Sequence, residues 1–401
     1  MIVRGMTMKH AIDEEPLEAA RKLAPTIRKH TDDAERKRRP SKVVMDALTE
    51  SGLQRMFTPR SLGGLETDPV TYARVAEEIA GFDSVAAWAL QLGNHIAWWC
   101  ARLPEQGVEE IYGRGPDVPI AGAFHPPQRV VERNGGYRIT GRAPLASNIH
   151  DAEWLLLSGI PMDGDKPKRT EDGTPEFLQL VLPAGEVEII DTWHALGMRG
   201  TDSNDVAVED VFVPQSRTFA LAPGFDPGPH YQGPLYRFPG MGTVVAIFTP
   251  VMLAIGRGAI DEFRKLALEK TPLGYARKLR ERTVVQATLA RAEGMLRAAR
   301  VLFYETLAEA WERTRNGESS TLEQKSDLVL AGTHAAQTVA KVTEMMHGLA
   351  GTSGIYTSSR LERHFRDAHT LRHQGFISAN RYETAGQVQL GVTPEFPMVA
   401  I

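Results

Sequence analysis

Leu17, Ala20, Leu23, Ala24 and Ile27 recur three and four residues apart, with Lys, Arg and Glu among the residues between them. That spacing lays one apolar stripe along a helix. Asp68-Pro69 predicts a further helix entry, with Asp as N-cap and Pro in the first turn. Ser84 to Leu103 reads as a third helix, unusually aromatic, carrying Trp88, Trp98 and Trp99. Near Pro116 the period changes. Short β-branched or alternating runs follow at Val130-Val131, Tyr137 to Thr140, Trp154 to Leu157, Leu178 to Leu182, Val187 to Ile190 and Val206 to Val213. Asn134-Gly135-Gly136 suits a tight hairpin turn between the first two.

Ala222 to Gly242 is rich in Gly and Pro and reads as a connecting loop. Helical periodicity then returns and holds to about Gly386. Asn316-Gly317 predicts a helix end, Ser320-x-x-Glu323 a capping box at the next entry, and Gly348 with Gly351 a further interruption. Four long helices imply an antiparallel bundle. The pattern predicts an α+β chain: an N-terminal helical domain over 1–115, a central β-domain over 116–240 and a C-terminal four-helix bundle over 241–401.

Composition narrows the function. The 401 residues are 42% hydrophobic and 24% charged, and 46 Lys and Arg against 50 Asp and Glu leave a formal charge of -4. No basic excess points to nucleic acid or an anionic membrane. A single cysteine, Cys100, excludes an internal disulfide framework and a multi-thiolate metal site, and fits a reducing compartment. Met1 to His10 lacks the apolar core of a signal peptide. The longest apolar run, Val244 to Ile255, is broken by Pro250 and is too short for a bilayer. A soluble, cytoplasmic protein is expected.

Four clusters carry candidate chemistry. Trp88, Leu92, His95 and Trp99 share one helix face and could line an aromatic pocket; a packed core face would show the same spacing. Gly141 to Asn148 ends a strand in a Pro-containing turn that presents Ser147, although Ser and Asn often only cap their own backbone. Asp191 to Val206 holds Gly197 and Gly200 for close backbone approach, Thr201 and Ser203 as donors, and Trp193 for stacking on a flat ring. It lacks the Gly-Lys-Ser/Thr ending of a nucleotide P-loop. Arg363 to Gly375 places His369 and His373 four residues apart, but the Glu of a zinc helix is missing, so no metal is expected.

The last two clusters resemble the acyl-CoA dehydrogenase superfamily. Leu196-Gly197-Met198-Arg199-Gly200-Thr201-Asp202-Ser203 is similar to its Gly-Met-Arg-Gly-Ser-x-Ser motif. Gly348 to Gly354, Leu361-Glu362-Arg363 and Arg366-Asp367 are similar to its Gly-Gly-x-Gly and Glu-Arg-x-x-Arg-Asp segments. Dehydrogenation needs a carboxylate base. Gln374 stands at the commonest position for it and Thr249 at the alternative one, and neither is a base. The Thr-Glu-Pro-x-x-Gly-Ser-Asp stretch of dehydrogenases is replaced by Gly122-Ala123-Phe124-His125-Pro126-Pro127.

What remains resembles the branch of two-component flavin monooxygenases typified by hydroxyphenylacetate and steroid-phenol hydroxylases. His95, Ser147 and His373 fall on that branch's functional positions, with Ala143 in place of its Trp and Asn148 in place of its Gly. The resemblance implies reduced FMN or FAD delivered by a separate flavin reductase, reaction with O2 to a flavin C4a-hydroperoxide, and oxygen transfer to an apolar small-molecule substrate. It implies Ser147 on flavin N5, His373 as base and His95 orienting substrate. Trp193, Gly200, Thr201 and Ser203 would add flavin contacts, and Trp88 and Trp99 a substrate wall. A homotetramer is expected, with Gly348 to Gly354 touching a neighbour's flavin. An acyl-CoA dehydrogenase with a displaced base, and a scaffold that has lost its cofactor, stay open at this point.

Overall fold

The computed structural model describes residues 12–170, 173, 175–221 and 225–401; Met1 to His10 and the start of the Ala222 to Gly242 loop lie outside them. Among the described residues six helices come first: α1 (Glu14–Lys22), α2 (Ala24–Lys37), α3 (Lys42–Glu50), α4 (Pro69–Phe82), α5 (Ser84–Trp99) and α6 (Glu105–Tyr112). The first apolar stripe spans two helices rather than one. Pro25 lies in the first turn of α2, where a ring without an N–H ends the preceding ladder and starts a new one at Leu23. The Asp68 carboxylate accepts from Val70 N and Thr71 N, so α4 begins as its N-cap predicts.

Strands β1 (Ile120–Arg133), β2 (Gly136–Ala146), β3 (Trp154–Asp163), β4 (Lys166–Pro167), β5 (Leu178–Pro183), β6 (Glu188–Ile190), β7 (Asn204–Pro214) and β8 (Thr218–Ala220) follow. They form one sheet in the order β6-β7-β2-β1-β3-β5-β8, with β4 on β3. β1 and β3 run parallel, and the other pairs are antiparallel. Gly135 turns the β1–β2 hairpin at φ 81°. Val130, Ile139, Leu155, Leu157, Leu180, Leu182 and Val206 fill a core belonging to the sheet alone. The β1–β3 register shifts between Ala123 and Gln128, where Pro126-Pro127 cannot donate to the ladder. Phe124 lies at that irregularity.

The C-terminal part departs from four long helices. Three are long: α7 (Gly240–Glu269), α8 (Thr283–Arg315) and α9 (Leu322–Ala350). The fourth place beside α7 and α9 goes to the 12-residue α10 (Arg360–Leu371), and the short α11 (Arg381–Gln389) packs on α9. Helix α7 continues through Pro250 instead of breaking there. Burial over most of its length outweighs the roughly 3 kcal/mol that an internal proline costs. By length and apolarity α7 would suffice to cross a membrane, but 89% of its most apolar stretch is buried in the fold. It is the central core helix. The entry to α9 is capped one residue later than expected: Thr321 and Gln324, not Ser320 and Glu323, exchange the reciprocal bonds. Gly348 stays helical, and the break comes at Gly351.

Candidate active site

All three parts of the chain meet at one cluster of rings. Trp88 on α5 stacks on Phe248 of α7 with centroids 5.1 Å apart. Phe248 lies nearly parallel to Phe376, in the turn after α10, at 6.4 Å and 11°. Phe376 meets Phe124 of β1 edge-on at 6.5 Å, and Phe124 meets His95 at 5.8 Å. His95 closes the circuit against Phe248 at 6.4 Å. The helical spacing of Trp88, His95 and Trp99 indeed gathers them on this side of α5. The three phenylalanines were not among the expected residues, although each lies within three residues of a position singled out for another reason.

His95 is 4% exposed, and its Nε2 accepts from Trp99 Nε1 at 2.8 Å. Burial in this apolar setting disfavours the cation and pushes the imidazole down to about 3. His95 is therefore neutral at ordinary pH, and its remaining proton sits on Nδ1. Trp99 is 1% exposed, and besides bonding His95 it meets Phe124 with ring centroids 6.2 Å apart.

A chain of hydroxyls borders the rings. Trp88 Nε1 donates to Ser147 Oγ at 3.0 Å. Ser147 Oγ lies 2.6 Å from Ser203 Oγ, and Ser203 Oγ lies 2.7 Å from Thr201 Oγ1. Thr201 Oγ1 in turn donates to the Met198 carbonyl at 2.9 Å. Ser147 is held by the turn after β2, where Asn148 adopts the left-handed conformation at φ 58° and donates its N–H to Thr201 O at 3.0 Å. Asn tolerates that region better than other side-chain-bearing residues, so it can occupy a position where a relative has Gly. The Asn148 side-chain oxygen is buried without a partner. Ala143 points into the core of the sheet.

The glycine loop is locked to the helices. A Cβ on Gly197 would lie 2.4 Å from the Arg366 carbonyl carbon and oxygen. This close approach lets Met198 N donate to Asp367 Oδ1 at 2.6 Å, while Arg366 donates to Leu196 O at 2.9 Å. Ser84 Oγ donates to the other Asp367 oxygen at 2.7 Å, which ties in the start of α5. Burial, reinforced by the neighbouring Asp367, raises Asp83, the α5 N-cap, to about 7. Gly200 was expected to admit a cofactor; the atoms nearest its missing Cβ are those of Ala34 on α2 and Val85 on α5, at 3.1 Å. The approach it permits is helix packing. Trp193 is half-buried, and its Nε1 donates to Met198 O at 3.1 Å.

Helix α10 ends at Leu371, which leaves His373 in the following turn. Its imidazole is exposed and makes no hydrogen bond or ring contact among the described residues. Gln374 turns its side-chain oxygen onto Phe376 N at 2.8 Å, bracing the turn that sends Phe376 into the rings. Thr249 is fully buried, its hydroxyl unpartnered. Neither position where a dehydrogenase base would stand carries an acid. Among the described residues, no three His, Cys, Asp or Glu side chains cluster as metal ligands would.

Residues 14–110 match the acyl-CoA dehydrogenase N-terminal domain, and residues 246–378 match a C-terminal domain of the same family. An indole-3-acetate monooxygenase of Pseudomonas putida is 33% identical over 90% of this chain and 90% of its own. The oxygenase subunit HsaA of a flavin-dependent monooxygenase from Rhodococcus jostii is 27% identical over 87% of this chain and 91% of its own. The crystal structure of 3-HSA hydroxylase from Rhodococcus sp. RHA1 superposes with a TM-score of 0.86 at 24% identity, covering 96% of this chain and 98% of that one. XiaF from Streptomyces sp., solved with FADH2, superposes equally well at 23% identity, covering 96% of each. The chain belongs to the flavin-dependent monooxygenases built on the acyl-CoA dehydrogenase fold.

Proposed function

We propose that this protein is the oxygenase component of a two-component system that oxygenates an aromatic small molecule, using O2 and reduced FMN or FAD from a separate reductase. The observation that carries the reading is the circuit of Trp88, Phe248, Phe376, Phe124 and His95, bordered by the Ser147 hydroxyl and with no carboxylate at position 249 or 374. Flat rings suit an aromatic guest, and a dry enclosure suits oxygen transfer.

The residues present fit a flavin. Ser147 keeps a lone pair beyond its bonds to Trp88 and Ser203, and the neighbouring Asn148 oxygen is a buried acceptor still without a donor. Ser147 would hold flavin N5, with Ser203 and Thr201 behind it. Bound reduced flavin would supply the two electrons that activate O2, one oxygen atom going to the substrate and the other to water. His95 offers Nδ1–H to an oxygen or nitrogen acceptor on the substrate, and Trp88 and the phenylalanines orient its plane. His373, on the turn that carries Phe376, would take a proton from a phenol or polarise another nucleophilic centre. Trp193 and Gly200 act one step back, by holding Met198 and α2. The cytoplasm suits a chain whose one cysteine is buried and free, and a homotetramer would bring Gly348 to Gly354 to a neighbour's flavin.

The test supplies reductase, NADH, FMN or FAD, and 18O2 with indole-3-acetate and p-hydroxyphenylacetate as probes. Incorporation of 18O into either product supports the reading. Absence of product, together with dye reduction by acyl-CoA thioesters, would replace it with a dehydrogenase.

A further inference from the structure

The hydroxyl chain at Ser147 has a direction. At one end is the Trp88 indole N–H, which can only donate, 3.0 Å from Ser147 Oγ. At the other end is the Met198 carbonyl, which can only accept, 2.9 Å from Thr201 Oγ1. Between them each hydroxyl has a single proton to give. If Thr201 gives its proton to Met198, Ser203 gives to Thr201 across 2.7 Å and Ser147 gives to Ser203 across 2.6 Å. Every donor in the chain is then used. The reverse order takes Thr201 Oγ1 off the carbonyl, which keeps Trp193 Nε1 and Thr201 N as donors at 3.1 Å each, and leaves the Ser147 proton with no acceptor within the chain. Ser147, Ser203 and Thr201 are 5%, 4% and 2% exposed, so water does little to relieve that loss.

We propose that Thr201 and Ser203 are positioning residues that make Ser147 an obligate acceptor, and that this polarity selects reduced over oxidised flavin. The inference rests on the reading above that Ser147 meets flavin N5. Reduced flavin carries a proton on N5 and can donate it to the open lone pair of Ser147. Oxidised flavin presents a bare lone pair at N5, so two acceptors face each other unless the whole chain reverses. One buried hydrogen bond lost in that reversal corresponds to roughly tenfold in the affinity ratio. Neither Thr201 nor Ser203 needs to touch the flavin to exert this choice.

Anaerobic titrations of the full-length protein with oxidised and with reduced FMN and FAD read the ratio of the two dissociation constants. In Thr201→Val the shape is kept and the inward acceptor of Ser203 is lost, so Ser203 turns its proton to Ser147 and Ser147 turns its own outward. The oxidised-to-reduced ratio should fall roughly tenfold, mainly through tighter binding of oxidised flavin. Ser203→Ala should lower the ratio in the same sense, by leaving the Ser147 proton no inward acceptor. A merely structural role would weaken both redox forms alike, and an unchanged ratio in both variants overturns the proposal. Ser147→Ala tells the two levels apart. If it shifts the ratio while Thr201→Val and Ser203→Ala do not, the proton order is wrong but the site stands. If Ser147→Ala leaves both affinities at the wild-type values, the placement of flavin at Ser147 is wrong and the inference falls with it.

Discussion

Trp99 Nε1 donates to His95 Nε2 across 2.8 Å, from one turn farther along the same helix, and this one bond decides which nitrogen of His95 carries the proton. With Nε2 occupied as an acceptor, Nδ1–H is the edge left for other partners. The tryptophan expected in the substrate wall thus also supports His95.

Trp99→Phe should keep the aromatic packing but free the tautomer. Oxygen transfer should fall by roughly tenfold, the scale of one buried hydrogen bond, with reduced-flavin affinity unchanged. Parallel measurement of product and released hydrogen peroxide checks it. Equal losses in flavin binding and in product would point to general loosening of α5 instead.

The neutrality of His95 has a pH signature. Its folded-state value near 3 lies below the unfolded value of 6.5. A base depressed in this way contributes stability that is present above pH 6.5 and is lost as pH falls through about 3. His95→Phe should therefore flatten part of the acid limb of melting temperature against pH between 6.5 and 3. An unaltered limb would mean that the imidazole is hydrated and charged in the folded protein.

His373→Ala separates catalysis from packing. The imidazole is exposed and unbonded, so its removal should change stability by no more than about 0.5 kcal/mol. As the proposed base, its loss should slow oxygen transfer about a hundredfold or more and divert oxygen to hydrogen peroxide. Wild-type coupling in the folded variant would remove His373 from the catalytic set.

Gly197→Ala tests the lock between the glycine loop and α10. The new methyl would sit 2.4 Å from the Arg366 carbonyl, so loop and helix must separate. Overpacking of this kind costs about 1–3 kcal/mol, and the Met198–Asp367 bond should break with it. A lower melting temperature with weaker flavin binding is expected. A fully stable variant would show that the loop is free to shift.

The residues legible in the sequence were those whose type is informative on a regular element. His95 and Trp88 stood out because helical spacing puts them on one face, and Ser147 because a turn at a strand end presents a hydroxyl. Phe124, Phe248 and Phe376 were not legible, because a phenylalanine in apolar surroundings reads as core wherever it occurs. Only the convergence of β1, α7 and the turn after α10 brings their rings together. Gly200 and Gly197 read alike as sites of close approach, but what approaches each is a helix, which no local pattern reveals. Pro250, read as breaking the apolar run Val244 to Ile255, does not break the helix for a related reason: tertiary burial holds α7 through a proline that its local sequence would break.

Gln374→Glu asks whether restoring the missing acid restores dehydrogenation. Gln374 already uses its side-chain oxygen to accept from Phe376 N at 2.8 Å. A glutamate can present the same oxygen to the same N–H, so the turn and the position of Phe376 should survive. The carboxylate would then be engaged with its own backbone, whereas a base must reach a substrate proton at hydrogen-bonding distance. Phe376, Phe248 and Phe124 gather beside that turn, and flat rings suit a flat substrate better than an extended thioester. No reduction of an electron-acceptor dye by butyryl-CoA or octanoyl-CoA is expected, and oxygenation of an aromatic substrate should largely persist. Dye reduction by either thioester would reveal an acyl pocket and a reachable base, and would return this chain to the dehydrogenases.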